Sequence, residues 1–280
     1  TLTVDATAIG ASGDTVNISA VAELDAKVVL KGGDGVNNIT LSASVNFGDT
    51  VAAAGGDDTI TTATANFTSA DIIDGGDGDD TIVTSNDATV VDADFTNVTS
   101  VEAISGTAVK DLDLTLGALA DAAGIRTVTF TDEGSAGDTV TVGAGFTSAL
   151  TVVLDDADDY KNVVDASSYV GEGLTVQATT GDLDSVQTAQ DLTGSAGTDV
   201  FNVLVNGAVT TTAMTSMTGF ETIRITDGDA DTDETVTFTL ADQNASYTNS
   251  TTYETITVDA TAIGASGDTV NITAAAETNA

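Results

Sequence analysis

Residues 75–83 read GGDGDDTIV, residues 32–40 read GGDGVNNIT and residues 53–61 read AAGGDDTIT. A fourth, more divergent version is GSAGTDVFN at 194–202. Aligned, they place small residues first, glycine fourth, an acid or amide sixth and an apolar residue eighth. The sixth positions are Asn37, Asp58, Asp80 and Asp199, and the eighth are Ile39, Ile60, Ile82 and Phe201. Glycine reaches positive φ without penalty, so such a segment turns tightly and exposes backbone carbonyls. The acid sets a carboxylate inside the turn, and the alternation after it is a short strand with one side chain pointing inward. Stacked turns of this kind put one apolar residue per coil into a common core.

Working outward, the acid positions 37, 58 and 80 recur every 21 or 22 residues. The text between them also repeats: VNFGDTVA at 45–52 and ANFTSADI at 65–72 share Asn-Phe, which places Phe47 and Phe67 at one phase. Residues 24–105 are therefore expected to form a parallel β-solenoid with coils of about 20 residues. Elsewhere Thr1–Asp5, Asp14–Ser19, Ala26–Leu30, Thr127–Thr131, Asp138–Val142, Leu150–Leu154, Gly173–Gln177, Val200–Val205, Glu221–Thr226 and Glu234–Leu240 have strand composition. Leu114–Gly124, ended by a glycine, and Ala241–Tyr247 are the helix candidates. The expected fold class is all-β, a parallel solenoid with very little helix, its acid-bearing turns expected to be stabilised by calcium. Residues 106–192 admit either more coils or a β-sandwich, and 193–254 form a second segment of the first kind.

Residues 3–18 and 257–272 are identical, TVDATAIGASGDTVNI, at an offset of 254 residues. The chain thus holds one period (1–254) and the start of a second (255–280), as expected of a tandem array. Residues 1–23 then supply end strands for pairing with a preceding unit. A weaker echo, GSAGDTVTVGA at 134–144, resembles 10–20.

Composition narrows the chemistry. The 280 residues carry 44 Asp and Glu against 6 Lys and Arg, a formal net charge of −38, with no Cys, His, Pro or Trp. Disulfides, thiol nucleophiles, Cys/His zinc sites and imidazole catalysis lack their residues. Phosphate neutralisation needs a basic surface, so nucleic acid is not an expected partner. No run of about 18 apolar residues exists to span a membrane. The acids are 36 Asp and 8 Glu, a bias toward the short carboxylate that suits turns and hard cations. Calcium takes six to eight oxygens from carboxylates and carbonyls, which these turns supply.

The candidate ligands in the turns are Asp34, Asn37, Asp57, Asp58, Asp74, Asp77, Asp79, Asp80 and Asp199. Asp227, Asp229 and Asp231 join them from DGDADTDE at 227–234, where Thr232 and Phe238 depart from an EF-hand loop. Asp155–Asp159 is a further acidic cluster, and Asp14 and Asp138 read as turn formers. No catalytic carboxylate pair stands apart from the repeated turns, and no enzyme activity is expected.

The nonapeptides resemble the repeat-in-toxin (RTX) motif of secreted bacterial proteins, with the difference that here they alternate with longer half-turns. VTSVEAI at 98–104, MTGFETI at 217–223, DASSYVGEGLTV at 165–176 and YETI at 253–256 are similar to phrases of bacterial surface-layer proteins and adhesins. The resemblance implies several calcium ions as cofactors, type I secretion and an extracellular, cell-surface location. It implies self-association in an S-layer or filament, with cell-surface polysaccharide as a further partner. A passive stalk of a giant adhesin and the secretion domain of a hydrolase are the alternatives.

Overall fold

Alternation of β-branched or aliphatic residues with Thr, Asp and Asn gives each strand one apolar face. The computed structural model describes residues 1–10, 13–44, 46–107, 111–131, 137–154, 161–179, 190–205, 209–211, 217–227, 235–239, 257–263 and 269–273. It divides into two compact units, Thr1–Gly134 and Ser135–Ala280.

The first unit holds β1 (Leu2–Asp5), β2 (Val16–Ser19), β3 (Val28–Lys31), β4 (Asn37–Thr40), β5 (Thr50–Ala52), β6 (Thr59–Thr62), β7 (Ile72–Asp74), β8 (Thr81–Thr84), β9 (Ala88–Val90), β10 (Val98–Thr99), β11 (Ala103–Ser105), β12 (Leu112–Leu116), α1 (Ala118–Ala123) and β13 (Thr127–Phe130). Successive strands alternate between sheets, so each pairs with the strand one coil away. One sheet runs β1-β3-β5-β7-β10, another β2-β4-β6-β8-β11-β13, and β9 pairs with β12. These ladders are parallel. In the second sheet Ile18, Ile39, Ile60, Ile82, Ile104 and Val128 are consecutive ladder partners, and all six are buried. Leu30, Val51, Ile73 and Val98 make the equivalent column in the first sheet. Burying one such side chain stabilises by about 1.5–3 kcal/mol.

The second unit holds β14 (Thr139–Val142), β15 (Leu150–Leu154), β16 (Val163–Asp165), β17 (Leu174–Thr179), β18 (Asp191–Thr193), β19 (Val200–Val205), β20 (Val209–Thr211), β21 (Met217–Thr218), β22 (Thr222–Asp227), β23 (Thr235–Thr239), β24 (Thr257–Ala262) and β25 (Thr269–Thr273). Its parallel ladders run β15-β17-β19-β22-β24, β14-β16-β18-β21 and β20-β23-β25. Val152, Val176, Phe201 and Ile223 form its central buried column. Between 106 and 192 the described strands therefore stack as coils and not as a sandwich. The parallel β-solenoid is thus the architecture of both units, with almost no helix.

Two expectations are corrected. The helix expected over Leu114–Gly124 is only the six-residue α1, closed by Gly124 at φ 114°. The residues before it alternate strictly, with Leu112, Leu114 and Leu116 inward, and become β12 instead. Phe47 and Phe67 do not share a phase: Phe47 is 45% exposed, whereas Phe67 is buried edge-on against Phe95 at 5.5 Å. The ladder at that sheet joins Thr50 to Ile72, a step of 22, so a spacing of 20 falls two residues out of register. The helix candidate Ala241–Tyr247 lies outside the described residues.

Candidate functional site

The sixth-position side chains lie at the entrance to the central sheet, one per coil, and are buried. Each carboxylate takes the place of a strand partner. The backbone N–H of Asn37 donates to Asp58 Oδ1 (2.7 Å), that of Asp58 to Asp80 Oδ1 (2.8 Å), and that of Asp80 to Glu102 Oε2 (2.8 Å). The second unit repeats the device: Leu174 N–H donates to Asp199 Oδ1 (2.9 Å), and Asp199 N–H to Glu221 Oε2 (2.8 Å). A parallel ladder would otherwise leave these turn amides without acceptors, and hydrogen bonds to a charged group are worth about 1.5–3 kcal/mol each.

The first template glycine has a steric cause. A Cβ on Gly75 would overlap both Ser100 O in the next coil and Asp80 Oδ2, and one on Gly32 would overlap Ala53 O and Asn37. Gly194 stands in the same relation to Gly219 O and Asp199 Oδ2. In the middle repeat the second template position is Ala54, which adopts φ 87°, a conformation that favours glycine; its counterpart Gly76 has φ 107°.

The four turns differ in how the side chain is satisfied. Asn37 accepts Gly33 N–H at Oδ1 (3.0 Å). Its Nδ2 donates toward four oxygens: Gly33 O (3.0 Å), Gly35 O (2.6 Å), Ala53 O (3.0 Å) and Asp58 Oδ1 (2.9 Å). Asp199 has both oxygens engaged, Oδ2 by Ser195 N–H and Oδ1 by the Ser195 hydroxyl (3.0 Å). Asp58 and Asp80 instead carry a buried Oδ2 with no hydrogen-bond partner. Burial pushes the Asp58 carboxyl above its usual range, against the pull of the Asn37 donors. Burial, with the charges of Asp58 and Glu102 adding to it, pushes Asp80 up to about 6.

An electron-rich turn that Asn37 satisfies with an amide is thus met by Asp58 and Asp80 with a second oxygen. A proton or a cation meets that need, and an all-oxygen donor set suits a hard cation such as calcium. Asp58 and Asp80 each offer one such buried oxygen, in successive coils. They do not form a cage of acids: among the described residues no three acidic side chains converge as a metal-holding group.

Of the other expected ligands, Asp34, Asp57, Asp74, Asp77 and Asp79 are exposed. Asp57 and Asp79 are brought together, with Asp79 N–H donating to Asp57 Oδ1 (3.0 Å). Asp77 faces Gly55 across a bridge, so Asp34 and Asp77 are separated by that coil. Asp74 ends β7 and accepts the Thr99 hydroxyl (3.2 Å), away from the buried column. Asp227 ends β22. Asp229, Asp231 and Asp155–Asp159 lie outside the described residues.

Sequence reasoning missed a second set of buried acceptors. Asp49 N–H donates to Asp71 Oδ1 (2.7 Å), and Val28 N–H to Asp49 Oδ1 (3.4 Å). Their other oxygens accept Thr68 and Ser42 N–H, both at 2.8 Å. Asp138 N–H likewise donates to Asn162 Oδ1 (2.7 Å), and Asn162 N–H to Gln190 Oε1 (2.6 Å). Asp92 accepts Gly117, Leu119 and Ala120 N–H at 2.9–3.1 Å and so caps α1 from another coil. The available signal was an Asp or Asn just before a strand, one coil from the next.

No helix among the described residues is long and apolar enough to cross a membrane. Comparison with protein-family models, with curated proteins and with solved structures finds no match to this chain.

Proposed function

We propose that this chain is a structural repeat unit of a secreted bacterial cell-surface protein, which folds on calcium outside the cell and associates with copies of itself in an S-layer or extracellular filament. The observation that carries this is the pair of buried, unpartnered carboxylate oxygens of Asp58 and Asp80 in successive coils. In a chain of net charge −38, such groups oppose compaction until a cation offsets them. Asp58 and Asp80 would hold the ion, which would supply positive charge between coils and couple folding to its concentration. A parallel solenoid stacks identical coils and suits long arrays.

The test is far-UV circular dichroism of the chain in chelator and then in millimolar calcium, with electron microscopy of the same samples. A coil-to-β transition accompanied by sheets or filaments is expected. Folding without assembly would favour the adhesin stalk. A spectrum already β-rich in chelator and unmoved by calcium would overturn the proposal.

A further inference from the structure

The sequence shared by residues 3–18 and 257–272 occurs in two surroundings. At the first, β1 pairs with β3 and β2 with β4, and neither has a ladder partner on its other edge among the described residues. At the second, β24 pairs with β22 and β25 with β23, on the side of the preceding coil. The hydrogen bonds after the strand recur in both, although Ala260–Ala262 extend β24 where Ala6–Ala8 lie beyond β1. Asp5 Oδ1 accepts the Thr7 N–H (3.1 Å) and hydroxyl (2.6 Å), and Asp259 Oδ1 accepts those of Thr261 (3.0 and 2.6 Å). The edge that is open at the first copy is therefore the one a preceding coil occupies at the second.

The geometry points to a single occupant for the free edge of β1 and β2: the strands β22 and β23 of a second copy of this chain. The register is the one seen at β24 and β25, carried back by 254 residues. Thr222, Ile223 and Arg224 then face Thr3, Val4 and Asp5, as they face Thr257, Val258 and Asp259 here. Thr235 and Val236 face Thr15 and Val16, as they face Thr269 and Val270.

Apolar and charge complementarity both favour this partner. Val4 is 37% exposed, although its ladder neighbour Leu30 is fully buried, and the buried Ile223 would close over it. Asp5 already pairs with Lys31 on its inner side at 3.2 Å. The Thr261 hydrogen bonds hold the Asp259 carboxyl below its usual range, with the Arg224 charge adding to them, and Arg224 would take the outer side of Asp5. Two of only six basic residues would thus flank one carboxylate at the seam. The ladders would then run unbroken from one copy to the next, and an open parallel edge would be removed.

This seam rests on the self-association in the proposed function and not on calcium, and the experiment separates the two. Within one chain, β24 and β25 occupy the edge of β22 and β23, so docking requires exchange. Thr257→Pro removes the N–H that donates to Glu221 O (2.8 Å), and Asn271→Pro interrupts β25. In a chain that also carries Asp5→Cys and Arg224→Cys, with no native cysteine to interfere, head-to-tail oligomers are expected by sedimentation. They should be linked between chains by a 5–224 disulfide, since neighbouring strands bring Cα atoms within bridging distance. Adding Thr3→Pro and Asn17→Pro should return single chains.

Oligomers without that link, or single chains of unchanged circular dichroism, would overturn the seam. If the proline variant loses its β spectrum, the same two cysteines in a chain ending at residue 254, which leaves the edge of β22 and β23 free without any proline, decide. A disulfide between chains forms if the seam exists and does not form if it fails. A link formed equally in chelator and calcium would leave the seam standing and the calcium proposal refuted. Calcium-dependent folding with no link would do the reverse.

Discussion

The backbone N–H of Asp58 donates to Oδ1 of Asp80, 22 residues later, at 2.8 Å, while Oδ2 of Asp80 is buried without a partner. One oxygen of the carboxylate closes the backbone between coils, and the other concentrates negative charge. Closure of the backbone between coils and an unsatisfied buried oxygen thus come from a single side chain.

Stability in chelator should fall as pH rises. Burial raises the Asp58 and Asp71 carboxyls and brings Asp80 to about 6. The folded chain therefore binds these protons more tightly than the unfolded chain, whose Asp titrates near about 4. Their protonated forms favour folding below about pH 4, and that advantage is lost as pH passes about 6. Asp5 and Asp259, held low by their Thr neighbours, oppose this from exposed positions where the effect is screened. Far-UV circular dichroism in chelator is expected to show more β-structure at pH 4.5 than at pH 7.5, and the opposite order would contradict the assignment.

Replacing both acids by amides should separate fold from charge. Asn37 shows that an amide fits the turn, with Nδ2 directed at the surrounding oxygens. Asp58→Asn with Asp80→Asn is expected to raise stability in chelator by about 1–3 kcal/mol, the cost of an unsatisfied buried group. The gain on adding calcium should shrink. Far-UV circular dichroism in chelator reads the first effect, and urea titrations at increasing calcium read the second.

Backbone conformation gives a change of each sign. Ala54→Gly relieves a non-glycine φ of 87° and should stabilise by about 1 kcal/mol. Gly75→Ala would force Cβ into Ser100 O and Asp80 Oδ2 and should cost more than about 3 kcal/mol. Thermal unfolding of the two variants beside the parent checks the pair.

Core and surface phenylalanines should part company from the isoleucine column. Ile60→Ala removes a fully buried side chain between Ile39 and Ile82 and should cost about 2–5 kcal/mol. Phe67→Ala should cost about 3–5 kcal/mol, and Phe47→Ala about 0.5 kcal/mol or less, because only Phe67 packs on Phe95. Equal effects at 47 and 67 would contradict the 22-residue register.

The column Ile39–Ile60–Ile82 was legible because the glycine template fixes both turn and inward position, and Val200–Val205 because a nearly continuous run of Val, Phe and Leu has strand composition. Asp49, Asp71 and Asn162 were not, since one polar residue before a strand reads as an ordinary turn until the coil above supplies its N–H. Asp34 and Asp77 share a template position, yet the chain places Gly55 between them. Leu114 and Leu116 were drawn toward a helix by the alanines after them; inward packing of three leucines decided for the strand. Asp92 was hidden because it caps α1 across 25 residues of sequence.

The most direct measurement is isothermal titration of calcium into the chain beside the Asp58→Asn, Asp80→Asn variant, with circular dichroism of both. The account predicts binding coupled to a gain of β-structure in the parent, with fewer sites and a smaller gain in the variant. Identical isotherms, or a parent already folded in chelator that takes up no calcium, would contradict it.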